Sequence, residues 1–399
     1  MNFLLIALFF LIWRGFDFFV IIISQKIIPY LGFFPYRDQL LKFNLPSWVF
    51  SLANFDGLHY ISIARNGYAQ YEQAFFPLYP MLIKFLSSFF FNNQLLTGLI
   101  ISNMSFLFGL FIFFKYLRLF SGNSNNFKPF TIILFLLAFP TSFFFGSVYT
   151  EGLFFLFLIS SLYFLKKKNY YFVFVFALLA SLTRLIGVFL IIPIFFHFIQ
   201  RMDPHFRGDD NSGTMKQWNN GFILNTKYLI LAFSPLIGLG IYCFYLFKTT
   251  GDPLFFLTSQ PIFGANRSSH LILLPQVYWR YLKIFFTAAH DPRFYVAIIE
   301  FIFFSFVLII LILDLIKNWR SKIKNWERIS LNIFSFCNLI LPTLTGTFSS
   351  IPRYSLFSLS LFIYISNIKN NFYKYLILLV FLLLHVLLLG YFVQGYFVS

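Results

Sequence analysis

Apolar runs close to the length of a membrane crossing recur from one end of this chain to the other, as in "LIALFFLIW" and "LILLVFLLLHVLLLGYFV". A helix needs about 20 consecutive apolar residues to cross ~30 Å of hydrocarbon. The runs do not alternate apolar and polar side chains, which excludes the short strands of a transmembrane barrel. Composition agrees: 59% of the 399 residues are hydrophobic and 11% are charged, where a soluble domain carries about 25% charge. The pattern predicts an all-α polytopic membrane protein forming a single integral-membrane domain over residues 1–399.

Spans are predicted at Phe3–Ser24, Leu95–Lys115, Pro129–Phe145, Val148–Leu165, Tyr170–Thr183, Leu185–Ile199, Tyr228–Phe247, Phe294–Ile316, Ile329–Leu344, Tyr354–Ile365 and Tyr375–Val393. That makes about eleven, several of them short enough to be tilted, broken or re-entrant. The amino terminus lacks a basic n-region and a small-residue cleavage site, so it reads as the first membrane helix. In it, Arg14 and Asp17 stand three apart and are expected to pair on one helical face. Cys243 and Cys337 lie in apolar runs and read as small buried hydrophobes.

Loop charge sets the orientation. With the amino terminus in the cytoplasm, "KYLRLFSGNSNNFK", "KKKN", the Arg201–Lys227 loop, "KNWRSKIKNWER" and "KNNFYK" face inward and hold 17 of the 30 basic residues. The net charge of +17 therefore reads as membrane topology, and no nucleic-acid partner is expected. Residues 201–227, rich in Gly, Asn and Asp, read as a cytoplasmic linker. Residues 25–94 and 248–293 become the long extracytoplasmic loops.

The first of these loops carries "NFDGLHYISIARNGYAQYEQAFFPLYP", a dense polar stretch in a chain with little charge. The two prolines at its end suit the start of an interfacial helix, with Lys84 reaching the headgroups. Asp56 is the leading candidate for a general base, with Gly57 permitting close backbone approach and His59 placed to orient it. The competing reading makes Asp56 or Asn54 the cap of a helix through "GLHYISIARNGY". Arg65 and Glu72 read as surface or locally paired residues. On a membrane face without nucleotide-sugars, a carboxylate suits transfer of a sugar from a polyprenyl-phosphate donor to a lipid-linked acceptor. Such chemistry needs a base for the acceptor hydroxyl and cations or a metal for the departing phosphate.

The stretch "NFDGLHYISIARNGYAQYEQAFFPLYPMLIKF" resembles the signature of the PIG-V type mannosyltransferases, roughly an aromatic-Asp pair, Tyr, Ile-Ala, Gly-Tyr, a short spacer and Phe-Phe-Pro-Leu-Tyr-Pro. Phe55, Asp56, Tyr60, Ile63, Ala64, Gly67, Tyr68 and an intact "FFPLYP" match, with Phe55 where Trp is frequent. "PTSFFFGSVYTEGLFFLF" and "GTFSSIPRYSLFSLSLF" are similar, in the right order, to two later family segments. The likeness covers the chain apart from residues 201–227 and the carboxyl end. It implies a GT-C-like bundle and inverting transfer of mannose from a polyprenyl- or dolichyl-phosphate donor at the extracytoplasmic surface. In eukaryotes this family adds a mannose to the glycosylphosphatidylinositol precursor; the acceptor is not implied here. The membrane would be the plasma (inner) membrane in a prokaryote and the ER in a eukaryote.

On this likeness Asp56 is the expected base and Glu151 a second acidic residue, aiding the acceptor or a divalent metal. His59, Tyr60 and Tyr149 join them as expected substrate-binding residues. Arg184 and Arg353, both in predicted outer turns, are expected to hold the donor phosphate, because guanidinium binds phosphate bidentately and stays charged. As alternatives, Glu151 sits well at a helix N-terminus and the arginines could snorkel. His270, Arg280 and His290 have no distinguishing spacing, and "NRS" at Asn266 fits a glycosylation acceptor. The alternative function is a multi-pass lipid flippase or small-solute transporter, against which no inverted repeat of broken helices is visible.

Overall fold

The computed structural model describes residues 2–31, 36–121, 128–202, 230–263, 267–268, 270–321 and 325–398. Within these residues every regular element is a helix. In chain order they are α1 (Asn2–Ile27), α2 (Arg37–Leu41), α3 (Ser47–Phe50), α4 (Asp56–Asn66), α5 (Leu78–Leu86) and α6 (Gln94–Ser121). Next come α7 (Pro129–Leu137), α8 (Glu151–Lys166), α9 (Tyr170–Thr183), α10 (Ile191–Met202), α11 (Ser234–Thr250) and α12 (Phe255–Thr258). The last six are α13 (Leu274–Thr287), α14 (Pro292–Trp319), α15 (Trp326–Thr343), α16 (Ile351–Tyr354), α17 (Leu359–Ser366) and α18 (Asn371–Val393). Apart from Arg201 and Met202, the expected 201–227 linker lies outside the described residues, as does Asn266.

Among the described residues four helices are long and apolar enough to cross a bilayer: Phe3–Ile27, Gln94–Phe120, Arg293–Trp319 and Asn371–Val393. Leu78–Phe89, Tyr170–Thr183 and Leu185–Gln200 are shorter apolar helices. This is an all-helical, membrane-embedded protein. α1 and α18 pack together and turn Leu11, Phe19, Leu379 and Leu383 outward, exposed as lipid-facing side chains are. Inside, aromatic rings fill the volume; Phe106 and Phe145 stack with centroids 4.1 Å apart.

The expected span Leu185–Ile199 begins as a 3₁₀ helix over Leu185–Leu190 before α10, and two further expected spans are broken more sharply. Pro129–Phe145 is not one helix: α7 stops at Leu137 after nine residues, about 14 Å of rise and less than half the hydrocarbon thickness. Pro140 follows, unable to donate to the carbonyl of Leu136, and the chain resumes as a 3₁₀ turn over Ser142–Gly146. Tyr354–Ile365 is likewise divided into α16, a 3₁₀ turn at Ser355–Phe357, and the eight-residue α17. The two breaks meet where the Thr141 hydroxyl donates to the Pro352 carbonyl at 2.8 Å. Both are buried in protein, the condition under which non-helical backbone is tolerated at membrane depth.

Polar side chains tie the bundle at set levels. Arg14 and Asp17 pair as expected, at 3.0 Å, and gain partners that spacing could not reveal. His385 of α18 places Nε2 2.8 Å from Asp17 Oδ1, while Arg14 and Asn103 both donate to the Gly146 carbonyl. At what we call the lower end, Lys166 Nζ meets Glu327 Oε2 at 2.5 Å and Arg328 meets Asp314 at 2.6 Å. At the upper end, where α1 and α18 finish, Asn54 donates to the Phe392 carbonyl at 2.9 Å. That bond anchors the start of α4 to the end of α18.

Candidate active site

α4 starts at Asp56, and Phe55 before it takes φ 59° without any side-chain cap. Asp56, the first helical residue, is therefore not the cap that the alternative reading assigned to it, and Asn54, one residue before Phe55, uses its amide N–H to hold the Phe392 carbonyl. The strained turn at Phe55 brings the helix start over the broken segment: Val148 N–H donates to the Leu52 carbonyl at 3.0 Å. A side chain at Gly57 would put its Cβ 3.2 Å from the Val148 carbonyl oxygen, so close approach is the reason for glycine there. The same segment delivers Tyr149, whose hydroxyl donates to the Asn54 carbonyl at 2.8 Å, and then Glu151 at the first residue of α8.

Four charges from four distant stretches converge at this point. Arg353 of α16 places Nη1 2.6 Å from Asp56 Oδ2 and Nε 3.5 Å from Glu151 Oε1. Arg184, just past the end of α9, pairs through Nη1 with Glu151 Oε1 and donates to Thr150 Oγ1 at 2.9 Å. Arg184 also lies over the Tyr354 ring at 5.0 Å, and Arg353 over the Tyr149 ring at 5.4 Å. The aromatic faces hold the guanidinium planes in register. The Glu151 side chain is fully buried and those of both arginines are 10% exposed, whereas the Asp56 side chain is 26% exposed. Asp56 is thus the member of the cluster open to a substrate.

The electrostatics follow from these contacts. Burial pushes the Asp56 carboxyl up, but the Arg353 charge and hydrogen bond, with His59 and Arg267, outweigh it and hold the pKa below the ordinary carboxylate value. Burial pulls Arg353 down, yet Asp56 and Glu151 leave it well above its usual value. Tyr60 is raised by burial and by its neighbour Asp56, so it stays a neutral phenol. Within the cluster Glu151 Oε2 and Arg353 Nε have no hydrogen-bond partner among the described residues. They are the groups with capacity left for a ligand.

His59 meets a carboxylate of its own loop. Its Nδ1 faces Glu72 Oε1 at 3.0 Å, and Glu72, buried rather than on the surface, also accepts from the Ala69 N–H at 3.0 Å. The pair folds the loop after α4 back on that helix, and the charge of His59 acts on Asp56. Of the expected residues, Asp56, Glu151, Tyr60, Tyr149, Arg184 and Arg353 are brought together.

Arg267 and a support beneath Arg353 escaped the sequence. Tyr281 donates to Glu300 Oε2 at 2.7 Å and accepts from the Phe348 N–H at 2.9 Å. Those bonds fix the loop in which Ser350 takes φ 67° before α16. Only the placement of Arg267 in an outer loop hinted at its role. No group of three His, Cys, Asp or Glu side chains assembles among the described residues. The two carboxylates here are matched by two arginines.

Compared with protein-family models, with curated proteins and with solved structures, the chain has no match in any of the three.

Proposed function

We propose that this chain is an extracytoplasmic membrane glycosyltransferase that moves mannose from a polyprenyl-phosphate donor to a lipid-linked acceptor, with inversion and with Asp56 as general base. The observation that carries the reading is the convergence of Asp56, Glu151, Arg184 and Arg353 at the upper end, with Asp56 alone among them substantially open. In the proposed step the acceptor oxygen attacks the anomeric carbon and its proton passes to Asp56. The bond from that carbon to the phosphate oxygen breaks on the opposite face, and the lipid phosphate leaves with the electron pair.

Arg353 links the two halves of this step. At rest it neutralises Asp56, which keeps the base ionised but weak. An arriving donor phosphate competes for the same guanidinium, and as Arg353 turns to it Asp56 regains basicity. Glu151, locked between Arg184 and Arg353, orients both arginines. In this reading the shorter and broken helices complete a GT-C-like bundle of about eleven crossings, with the amino terminus in the cytoplasm and residues 25–94 outside.

The test is transfer of labelled mannose from polyprenyl-phosphate-mannose to extracted lipids by membranes carrying the protein. Wild type should form a labelled glycolipid, and Asp56→Asn should lower turnover ~10²–10⁴-fold, the usual contribution of a general base. Retention of more than about a tenth of turnover in a folded Asp56→Asn protein, short of even that range, removes Asp56 as the base.

A further inference from the structure

A second polar site lies at the upper end, built from residues that the transfer reading does not use. A cavity of about 510 Å³ opens where α1 finishes, walled by Lys26, Tyr30 and Arg37, by Ser51 of the turn before α4, and by Gln394 after α18. Among the described residues no acidic side chain lines it; Asp38, beside Arg37 in sequence, is not part of the wall but is near enough for its charge to act on Tyr30. Neither Lys26 nor Arg37 belongs to a salt bridge among the described residues. Arg37 rests over the Tyr30 ring at 4.2 Å.

A helix C-terminus ordinarily attracts cations through its free carbonyls. Here the Gln394 amide donates to the Ser24 and Ile28 carbonyls, at 3.3 and 2.9 Å, and the Leu31 N–H is taken by the Gln394 carbonyl. These bonds tie the end of α1 to the end of α18, and Lys26 and Arg37 are the ionised side chains of the described wall. Its wall also holds unused capacity: the Ser51 hydroxyl has no hydrogen-bond partner among the described residues, and Ser51 is 2% exposed. Buried hydroxyls are seldom left unpaired without a reason. Two cations and a buried hydroxyl around one space match the oxygens of a phosphate ester.

The surroundings favour a lipid as the source of that phosphate. The cavity stands at the end of the α1–α18 wall, whose outward side chains are apolar, and Ile27 at its rim is 74% exposed. Trp48 of α3 packs edge-on against Phe18 of α1, with centroids 5.4 Å apart, and indoles collect at the headgroup level of a membrane. We propose that this cavity binds the phosphate of a membrane phospholipid, whose acyl chains lie along α1 and α18. The site is separate from the Asp56 cluster and stands or falls independently of the transfer reading.

The experiment is native mass spectrometry of the full chain, purified in detergent and titrated with dioctanoyl phosphatidic acid, dioctanoylglycerol or inorganic phosphate. Phosphatidic acid should bind and dioctanoylglycerol should not. Lys26→Gln combined with Arg37→Gln should weaken phosphatidic acid at least about tenfold, the scale of losing a charge-assisted hydrogen bond. Both positions are exposed, and an unchanged circular dichroism spectrum and unfolding midpoint will verify that the double variant is folded. Arg353→Gln controls for phosphate binding at the cluster and should leave the phosphatidic acid signal intact. Undiminished binding in the double variant overturns the proposal, as does loss confined to Arg353→Gln. Displacement of the lipid by equimolar inorganic phosphate overturns the lipid assignment, because the site would then serve the free anion.

Discussion

Arg184→Gln and Arg353→Gln each delete one guanidinium from the same cluster, yet the structure assigns them opposite consequences. Arg184 is the hydrogen-bonded partner of Glu151, whose side chain is fully buried. Without it, Glu151 keeps only Arg353 Nε at 3.5 Å, in an alignment that makes no hydrogen bond. Breaking a buried pair by removing one partner costs about 3–5 kcal/mol, a large fraction of the 5–15 kcal/mol by which folded proteins are typically stable. Arg353→Gln leaves the Arg184–Glu151 pair whole and releases Asp56, which at 26% side-chain exposure can recover hydration. Its stability cost should stay near that of a partly exposed pair, about 1 kcal/mol. Its catalytic cost should be larger, because one charge-assisted hydrogen bond to the donor phosphate is worth about 1.5–3 kcal/mol, or roughly 13- to 160-fold in kcat/KM. Unfolding can be followed with a thiol-reactive dye, since Cys243 and Cys337 are both free and partly buried. Arg184→Gln should unfold at clearly lower temperature than Arg353→Gln, and Arg353→Gln should lose transfer while remaining folded. Equal destabilisation by the two, or normal kcat/KM in Arg353→Gln, would refute the division of labour.

The depressed pKa of Asp56 has a direction that acid unfolding can read. A carboxylate held below its unfolded value of ~4 contributes stability that is complete above that value and vanishes as pH falls through the folded pKa. The gap in unfolding temperature between wild type and Asp56→Asn should therefore be flat from about pH 5 to 8 and close below about pH 4; a gap that widens in acid contradicts the Arg353 pairing. Gly152→Ala should destabilise by about 1–3 kcal/mol, because its Cβ would stand 2.5 Å from the Ser102 carbonyl oxygen and 2.7 Å from that of Phe145; an unchanged unfolding temperature would mean that α6 and α8 are less closely packed than described. For orientation, Gln70→Cys in whole cells should react with an impermeant maleimide, and labelling only after lysis would place this end of the bundle in the cytoplasm.

What could be read from the residues and what could not divide along a physical line. Glu151, Arg184 and Arg353 were legible because a charge beside or within an apolar run needs a reason, and Asp56 because it stands in a dense polar stretch that resembles a family signature. Their pairing was not, since Asp56 and Arg353 are 297 positions apart and nothing local links them. The helix breaks at Pro140 and before Leu359 were hidden for a different reason: hydropathy registers that a stretch is apolar, and both stretches remain apolar while they stop being helical. The spacing of three from Asp56 places His59 on the same helical face, but nothing in it could show that Glu72 would meet the ring at Nδ1. Glu72 itself carried no periodic signal, being set in a turn that packs only once the loop has folded.

The contact between Asp17 and His385 has a consequence in time. A chain is made from its amino terminus onward, and its parts begin to fold in that order. Asp17 belongs to α1 and His385 to α18, made 368 residues later. Throughout that interval the carboxylate has Arg14 on its own helix for company, and the groove beside α1 awaits α18. The arrival of α18 closes both the polar contact and the anchor from Asn54 to Phe392. The helix start that carries Asp56 thus acquires this support only after α18 has been made, long after α4 itself, so the proposed catalytic end cannot mature in step with its own synthesis.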